Sequence, residues 1–288
     1  MKLSGYIIEL YNNMADAYTC HRLIEEANKR DINLKLVGVH DSYITKDGIW
    51  NDGHILDRCH FIINRYKYGK LKTQINALGE KHYNDIGLFE KYVNKYEQVS
   101  GLSSEYFSTP KFILSTSSIK YDFVSSYLGV PFIAKGLESS MGREIFLIND
   151  SQKFDSLRTG FGAGKEWLFE EFIGTSYGKD LRVFTIKDKA IACMLRKSDS
   201  DFRSNVALGA SVEPCPISPI ISKIVSDIYE QTHLDFLGID LLFGACGFYF
   251  CEINVMPGLE GIERASGINI SGLIIETIKQ DFEHLGNE

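Results

Sequence analysis

The chain has 288 residues, 44% of them hydrophobic and 24% charged, with a formal net charge of −7. That length suits about two domains with a large core, and the acidic balance, without a dense Lys/Arg tract, argues against a nucleic-acid surface. No apolar run reaches the roughly 18 residues of a membrane span, and the opening "MKLSGYIIELYNN" lacks a small-residue cleavage site, so it reads as a first strand and not a signal peptide.

In chain order, "GYIIEL" (5–10) and "LKLVGV" (34–39) are predicted strands, and between them Ala17, Cys20, Leu23, Ile24 and Ala27 form one helical face. That is a β-α-β unit, which implies an open parallel α/β sheet, with "HFIINRY" as a further strand. Leu88, Phe89, Tyr92, Val93, Tyr96 and Val99 repeat at helical spacing and predict one helix. Strand-like "KFIL", helical "YDFVSSYLG", and the strand "VPFIAK", ending on Lys135, follow. After the polar turn "GLESSMGRE" come predicted strands "IFLI" and "EWLFEEFI", then a hairpin "LRVFTIKDKAIACMLRK" turning at Lys187-Asp188. Ser218 and Pro219 suit the N-cap and first residue of a helix whose buried stripe is Ile221, Ile224, Val225 and Ile228. The last helix is expected to turn Leu273, Ile274, Ile278, Phe282 and Leu285 inward. The six cysteines contain no CxxC pair and the histidines no HExxH-like spacing, so neither a disulfide framework nor a zinc site is expected, and a reducing cytoplasm is the simplest address.

In "YFCEINVMPGLEG", Glu252 and Asn254 interrupt an apolar strand two residues apart, so they share one face. "LGIDLLF" places Asp240 in an earlier apolar run, and a hairpin turning near "GACG" would set it beside Glu252. Two buried carboxylates repel and each is costly to desolvate. One resolution is a hard divalent cation, which takes oxygen ligands; the other is a set of edge-strand residues satisfied by arginine or backbone N–H groups. Three oxygens on adjacent strands favour the metal. Lys135 before a polar, small-residue turn suits an anion, although an ordinary hairpin with a solvent-facing lysine has the same pattern. Arg196, Lys197, Arg203 and Asn205 gather in "RKSDSDFRSN", and Asp180 and Arg182 alternate at the start of a strand; alone, each reads as a solvated charge run.

Taken in order, these pieces resemble the RimK-type ATP-grasp amino-acid ligases, in both the ribosomal-protein-modifying branch and the LysX-like lysine-biosynthesis branch. "CEINVMPGLEGIERASGINI", "DFRSN" and "EFI…GKDLRVF" carry the resemblance. It implies an ATP-grasp fold: an N-terminal α/β domain (1–84), a central lobe (85–169) and a C-terminal lobe with the metal site (170–288). It further implies nucleotide contacts at Lys95, Lys135, Ser139, Ser140, Gly142, Glu171, Phe172, Asp180, Arg203, Ser204 and Asn205. Arg196, Arg203 and Asn205 would line the transferring phosphate, and Asp240, Glu252 and Asn254 would hold Mg²⁺ (or Mn²⁺), two ions in all. The implied reaction is ATP-dependent amide formation through an acyl phosphate, with amino-acid or peptide substrates, no nucleic-acid or membrane partner, and self-association into a homo-oligomer left open. Peptide macrocyclisation, dipeptide ligation and a non-catalytic ATP-binding module are the alternatives. Ser139 stands where the family commonly has glycine, with Arg143-Glu144 at often apolar or glycine positions, which implies a stiffer loop. Leu208, after Ala207, stands at an arginine position of the ribosomal-protein-modifying relatives, which implies a less acidic substrate than a glutamate-rich tail.

Overall fold

The computed structural model describes residues 2–12, 17–67, 69–139, 143–162, 164–206 and 209–285. The predicted β-α-β unit is present: β1 (Ser4–Glu9), α1 (Ala17–Lys29) and β2 (Asn33–Gly38), with the strands parallel. A small antiparallel ribbon of β3 (Ser42–Thr45), β4 (Gly48–Asn51) and β5 (His54–Ile55) follows. The chain then re-enters the first sheet as β6 (Cys59–Asn64) and, after α2 (Lys70–Asn76), as β7 (Gly79–Tyr83). Its order, β2-β1-β6-β7, sets β1 beside β6 with their onward connections leaving in opposite directions. In open parallel sheets the carboxyl ends of such a pair form a ligand crevice.

The single helix expected over 88–99 is two, α3 (Ile86–Tyr92) and α4 (Lys95–Gly101). Asn94 divides them: its backbone is extended and its side chain accepts from the Tyr96 N–H at 2.9 Å, capping the second helix. Lys95 therefore opens a helix.

The short β8 (Phe107–Ser108) precedes a second sheet, built from β9 (Phe112–Thr116), α5 (Tyr121–Leu128), β10 (Phe132–Gly136), β11 (Ile145–Ile148), α6 (Ser151–Phe161) and β12 (Glu166–Glu171). Its strands run β11-β10-β12-β9, all antiparallel, over a private core of Val124, Leu128, Phe132, Phe154, Trp167 and Phe169.

The third sheet contains β13 (Lys179–Ile186), β14 (Lys189–Lys197), β15 (Ser211–Pro214), β16 (Phe236–Phe243) and β17 (Phe248–Asn254), in the order β15-β14-β13-β16-β17-β8. The hairpin turns at Lys187-Asp188 as expected. Helix α7 (Pro219–Thr232) is capped by Ser218, whose hydroxyl accepts from the Ile221 N–H, and buries the expected stripe. Helices α8 (Glu260–Ser266) and α9 (Ile270–Leu285) close the chain. In α9, Ile270, Ile274, Ile275 and Ile278 face inward, whereas Leu273, expected inside, is 40% exposed because it lies about 100° round the helix from Ile274. The Leu285 side chain lies outside the described residues. Ile7 and Phe61 of the first sheet, Phe184 and Phe236 of the third, and Ile274 of α9 share one core. The first and third sheets are thus fused by apolar burial, each such side chain contributing about 1.5–3 kcal/mol, while the second sheet stands on its own core.

Candidate active site

The second and third sheets face each other across a cleft with an empty volume of about 700 Å³, its open mouth included. Its third-sheet wall is a row of charges set by strand register. Arg196 (β14) stands opposite Asp180 (β13), Arg182 (β13) opposite Asp240 (β16), and Asp240 opposite Glu252 (β17). The hairpin expected near "GACG" is there, closed by Gly244 N–H donating to the Gly247 carbonyl at 2.8 Å.

Directly opposed residues on one sheet face interact most strongly, and here they interact as ions. Arg196 donates Nε and Nη2 to the two Asp180 oxygens, each at 2.6 Å, and Nη2 also to Asp240 Oδ2 at 2.7 Å. Arg182 grips both Asp240 oxygens, Nη2 to Oδ2 at 2.6 Å and Nε to Oδ1. Burial would raise the Asp240 carboxyl, but Arg182 and Arg196 outweigh it and hold Asp240 below its ordinary value. Burial pushes Asp180 up despite Arg196, with Asp240 adding to the push. Asp240 is therefore satisfied by arginine, but as a buried residue of a central strand and not as a partly exposed edge residue, and its carboxylate is not exhausted: of about four lone-pair directions, the bonds to Arg182 and Arg196 occupy three, leaving one on Oδ1.

A β-bulge orients the other two oxygens. On β17, Phe250 pairs with Leu241 and Glu252 with Asp240, so Cys251 is an extra residue. Phe250 and Ile253, three apart, both enter the core with Leu241 and Ile239, while Cys251 and Glu252 line the cleft. Without the bulge, strict alternation would place Glu252 on the same face as Phe250. Asn254, two residues on from Glu252, also accepts from the Met256 N–H through Oδ1 at 3.1 Å. Burial raises the Cys251 thiol, so it stays protonated and is no nucleophile.

On the second sheet, Lys135 is buried and does not reach solvent. It meets Glu170 at 2.5 Å, a diagonal neighbour across β10 and β12. Burial opposes its charge, but Glu170 and Glu252 outweigh burial and hold the ammonium above its ordinary value. Lys95 reaches the same space from α4: its Nζ donates to the Ser139 carbonyl at 2.7 Å and lies 3.4 Å from Glu252. The Lys95 N–H holds the Leu137 carbonyl at 2.8 Å. Gly136 lets the loop start tightly, since a Cβ there would lie 2.0 Å from Glu144. Ser140 and Gly142, expected on this loop, and Ala207 and Leu208 lie outside the described residues.

Glu171 and Phe172 lie at the cleft, where Glu171 N–H bonds the Lys111 carbonyl and Phe172 stacks edge-on with Tyr177 and Phe202. The segment carrying Arg203, Ser204 and Asn205 is pinned at Gly178, whose N–H bonds the Phe202 carbonyl; its φ of +64° and a Cβ-to-Ser198 carbonyl distance of 2.4 Å exclude any other residue without strain. Ser204 helps hold Asp180. Arg203 is paired with Asp201 through Nη2 at 2.6 Å and lines the cleft. Glu170 and Arg182 were not among the expected site residues; their only signal was a charge within an otherwise apolar strand.

Among the described residues, no three His, Cys, Asp or Glu side chains cluster into a self-sufficient metal site. Asp240, Glu252 and the Asn254 oxygen still fit Mg²⁺: two carboxylates face each other across a hairpin, and an ion there completes its shell with phosphate oxygens and water. Four cations (Lys95, Lys135, Arg182, Arg196) meet four carboxylates (Glu170, Asp180, Asp240, Glu252), so these eight groups balance one another in charge.

The probable alpha-L-glutamate ligase of Shewanella pealeana is 27% identical over 97% of this chain, which spans only 64% of that relative. The one of Methanococcoides burtonii is 29% identical over 95% of both chains. The solved structure of the ATP-grasp ligase PsnB with a minimal precursor has the same fold, with a TM-score of 0.71 at 17% identity over 97% of this chain and 99% of that one. The model of the RimK-like ATP-grasp domain matches residues 93–278, which hold both lysines, the charged row and the bulged strand: the chain belongs to the RimK-like ATP-grasp family.

Proposed function

We propose that the protein is an ATP- and Mg²⁺-dependent carboxylate–amine ligase. The γ-phosphate moves to a substrate carboxylate, giving an acyl phosphate and ADP; an amine then attacks the acyl carbon, forming the amide and releasing phosphate. The observation that carries this reading is a pair of buried lysines at the Asp240–Glu252 hairpin: Lys135 lines the same cleft as both carboxylates, and Lys95 lies 3.4 Å from Glu252. Phosphoryl transfer asks a protein for positioning and charge neutralisation more than for covalent chemistry. Lys95, Lys135, Arg196, Arg203 and Asn205 supply donors for phosphate oxygens; Ile133, Ile145, Phe172 and Leu242 offer the adenine an apolar bed beside the Glu171–Phe172 backbone. Asp240, Glu252 and Asn254 would hold the metal, which polarises phosphate and neutralises its charge. Two divalent ions, the number this reading assigns, would neutralise the roughly four negative charges of ATP. The domain division at about 84 and 169 and a cytoplasmic location belong to the same reading; no helix among the described residues is long and apolar enough to cross a membrane. The relatives' names support an amino acid as one substrate and PsnB's precursor a peptide, and both classes belong in the screen.

The test is a screen of amino acids and peptides with ATP and Mg²⁺, reading nucleotide products and amide mass. Equal ADP and phosphate are expected, and Glu252→Gln should lower turnover on the order of a thousandfold with the fold intact. AMP and pyrophosphate would mean adenylation and would refute the acyl-phosphate route; near-normal Glu252→Gln turnover would refute the metal assignment.

A further inference from the structure

The nucleotide cleft is built by the second and third sheets, yet one lysine reaches from the first to the loop that follows β10 at its rim. β1 and β6 form the point where the first sheet's connections diverge, and the segment after β6 leaves from that crevice. Arg65 anchors it: its N–H extends the ladder to the Ile8 carbonyl at 2.9 Å, Nε meets Glu9 at 3.2 Å, and Nη1 donates to the Pro257 carbonyl at 3.2 Å, just beyond the metal strand. Two residues on, Lys67 Nζ donates to the Glu138 carbonyl at 3.0 Å. Three successive carbonyls of the loop after β10 are thereby held by two lysines: Leu137 by the Lys95 N–H, Glu138 by Lys67 Nζ and Ser139 by Lys95 Nζ.

The cations form a series. Lys135 lies deepest, on the strand beside the Glu170–Phe172 hinge; Lys95 follows, at Glu252; Lys67 is outermost, near enough to Lys95 to feel its charge. If a nucleotide with its base at the hinge ran its phosphates past Lys135 and Lys95, its last phosphate would approach Lys67, whose charge is within electrostatic reach of Lys95 and Glu252. Burial, and then Lys95, hold the Lys67 ammonium down to about 8, as for a cation short of negative charge. A carbonyl oxygen is a weaker partner for an ammonium than a phosphate, whose full charge assists the hydrogen bond. The four-carbon stem lets Nζ swing between them.

We propose that Lys67, carried by the N-terminal sheet, is a γ-phosphate contact that couples this sheet to the phosphate-transfer end of the site. The inference rests on the ligase reading, in that it takes ATP as the cleft's ligand. Calorimetric titration of wild type, Lys67→Met and Lys67→Arg with Mg²⁺ and either AMPPNP or ADP tests it. Lys67→Met should weaken AMPPNP by about tenfold or more, the loss expected for one charged hydrogen bond, and leave ADP within about twofold, with Lys67→Arg recovering most of the difference. Equal losses for both nucleotides, or none for either, would overturn the inference while leaving the ligase reading standing. A wild-type protein that binds neither nucleotide would overturn both.

Discussion

Replacing Arg182 with methionine should unfold the charged row of the third sheet from within. Arg182 donates two bonds to Asp240, and Arg196, its only other guanidinium partner among the described residues, donates one while also holding Asp180 with two. Methionine keeps most of the stem that lies over Gly238, where an added Cβ would come within 3.1 Å of Arg182 Cδ, so packing is largely preserved and the change is in charge. Two aspartates at 7% and 2% exposure then share one arginine. Removing one partner of a buried ion pair costs about 3–5 kcal/mol, because the other is left uncompensated. Asp240→Asn in the same chain should return part of that loss, and the cycle should show a coupling of about 1–3 kcal/mol between the two positions. Urea titration followed by circular dichroism gives the totals. Because the chain has separate cores and two-state unfolding is not assured, amide exchange of β13 and β16 locates the loss. A cost below about 1 kcal/mol, or strictly additive mutations, would show that the register places these charges together without their supporting the sheet.

Lys135→Ala should weaken ATP about tenfold or more and adenosine hardly at all, measured by titration with each ligand; Lys135→Ala with Glu170→Gln controls for the carboxylate left unpaired, and equal losses for the two ligands would assign the lysine a packing role. In the fused core, burial tends to raise the Glu26 carboxyl, but bonds from Lys29, Arg30 and Asn269 outweigh it and hold it at about 2. Its folded value lies below its unfolded one, so its contribution is present above about pH 4.5 and lost as pH falls toward 2; Glu26→Gln should shrink the wild-type fall in Tm between pH 5.5 and pH 3 by roughly 5 °C, and parallel curves would refute the assignment.

Strands were legible where apolar runs ended in polar turns, and the nearness of Asp240 to Glu252 was legible because a short hairpin joins their strands; their direct apposition was not, because it comes from the bulge at Cys251. The break at Asn94 was not, since apolar spacing runs through it and only the cap interrupts the backbone. Helix α6 was missed because it buries just Phe154 and Leu157. The ribbon β3–β5 was missed because Tyr43, Ile44 and Ile55 remain exposed and show no buried face. Within the site, local patterns identify residues that are unusual where they stand, as Glu252 and Lys135 are. They do not identify partners. Arg182 and Glu170 acquire their meaning from strands far away in sequence, and Lys67 from the loop after β10, a strand of a different sheet.

The extra residue at Cys251 makes one strand behave as two. Ahead of it, Phe248 and Phe250 answer to the packing of β16 and β8; behind it, Glu252 and Asn254 answer to whatever occupies the cleft. Since the two halves are out of phase, neither can shift along its partner and carry the other with it. Deleting that single residue would exchange the faces of everything on one side, sending the glutamate toward Ile239 and Leu241 or the phenylalanine out into the cleft. A shortened strand could keep its oil-facing half or its oxygen-bearing half in place, but not both, so chain length at this point is under tighter restraint than the identity of the residue that supplies it.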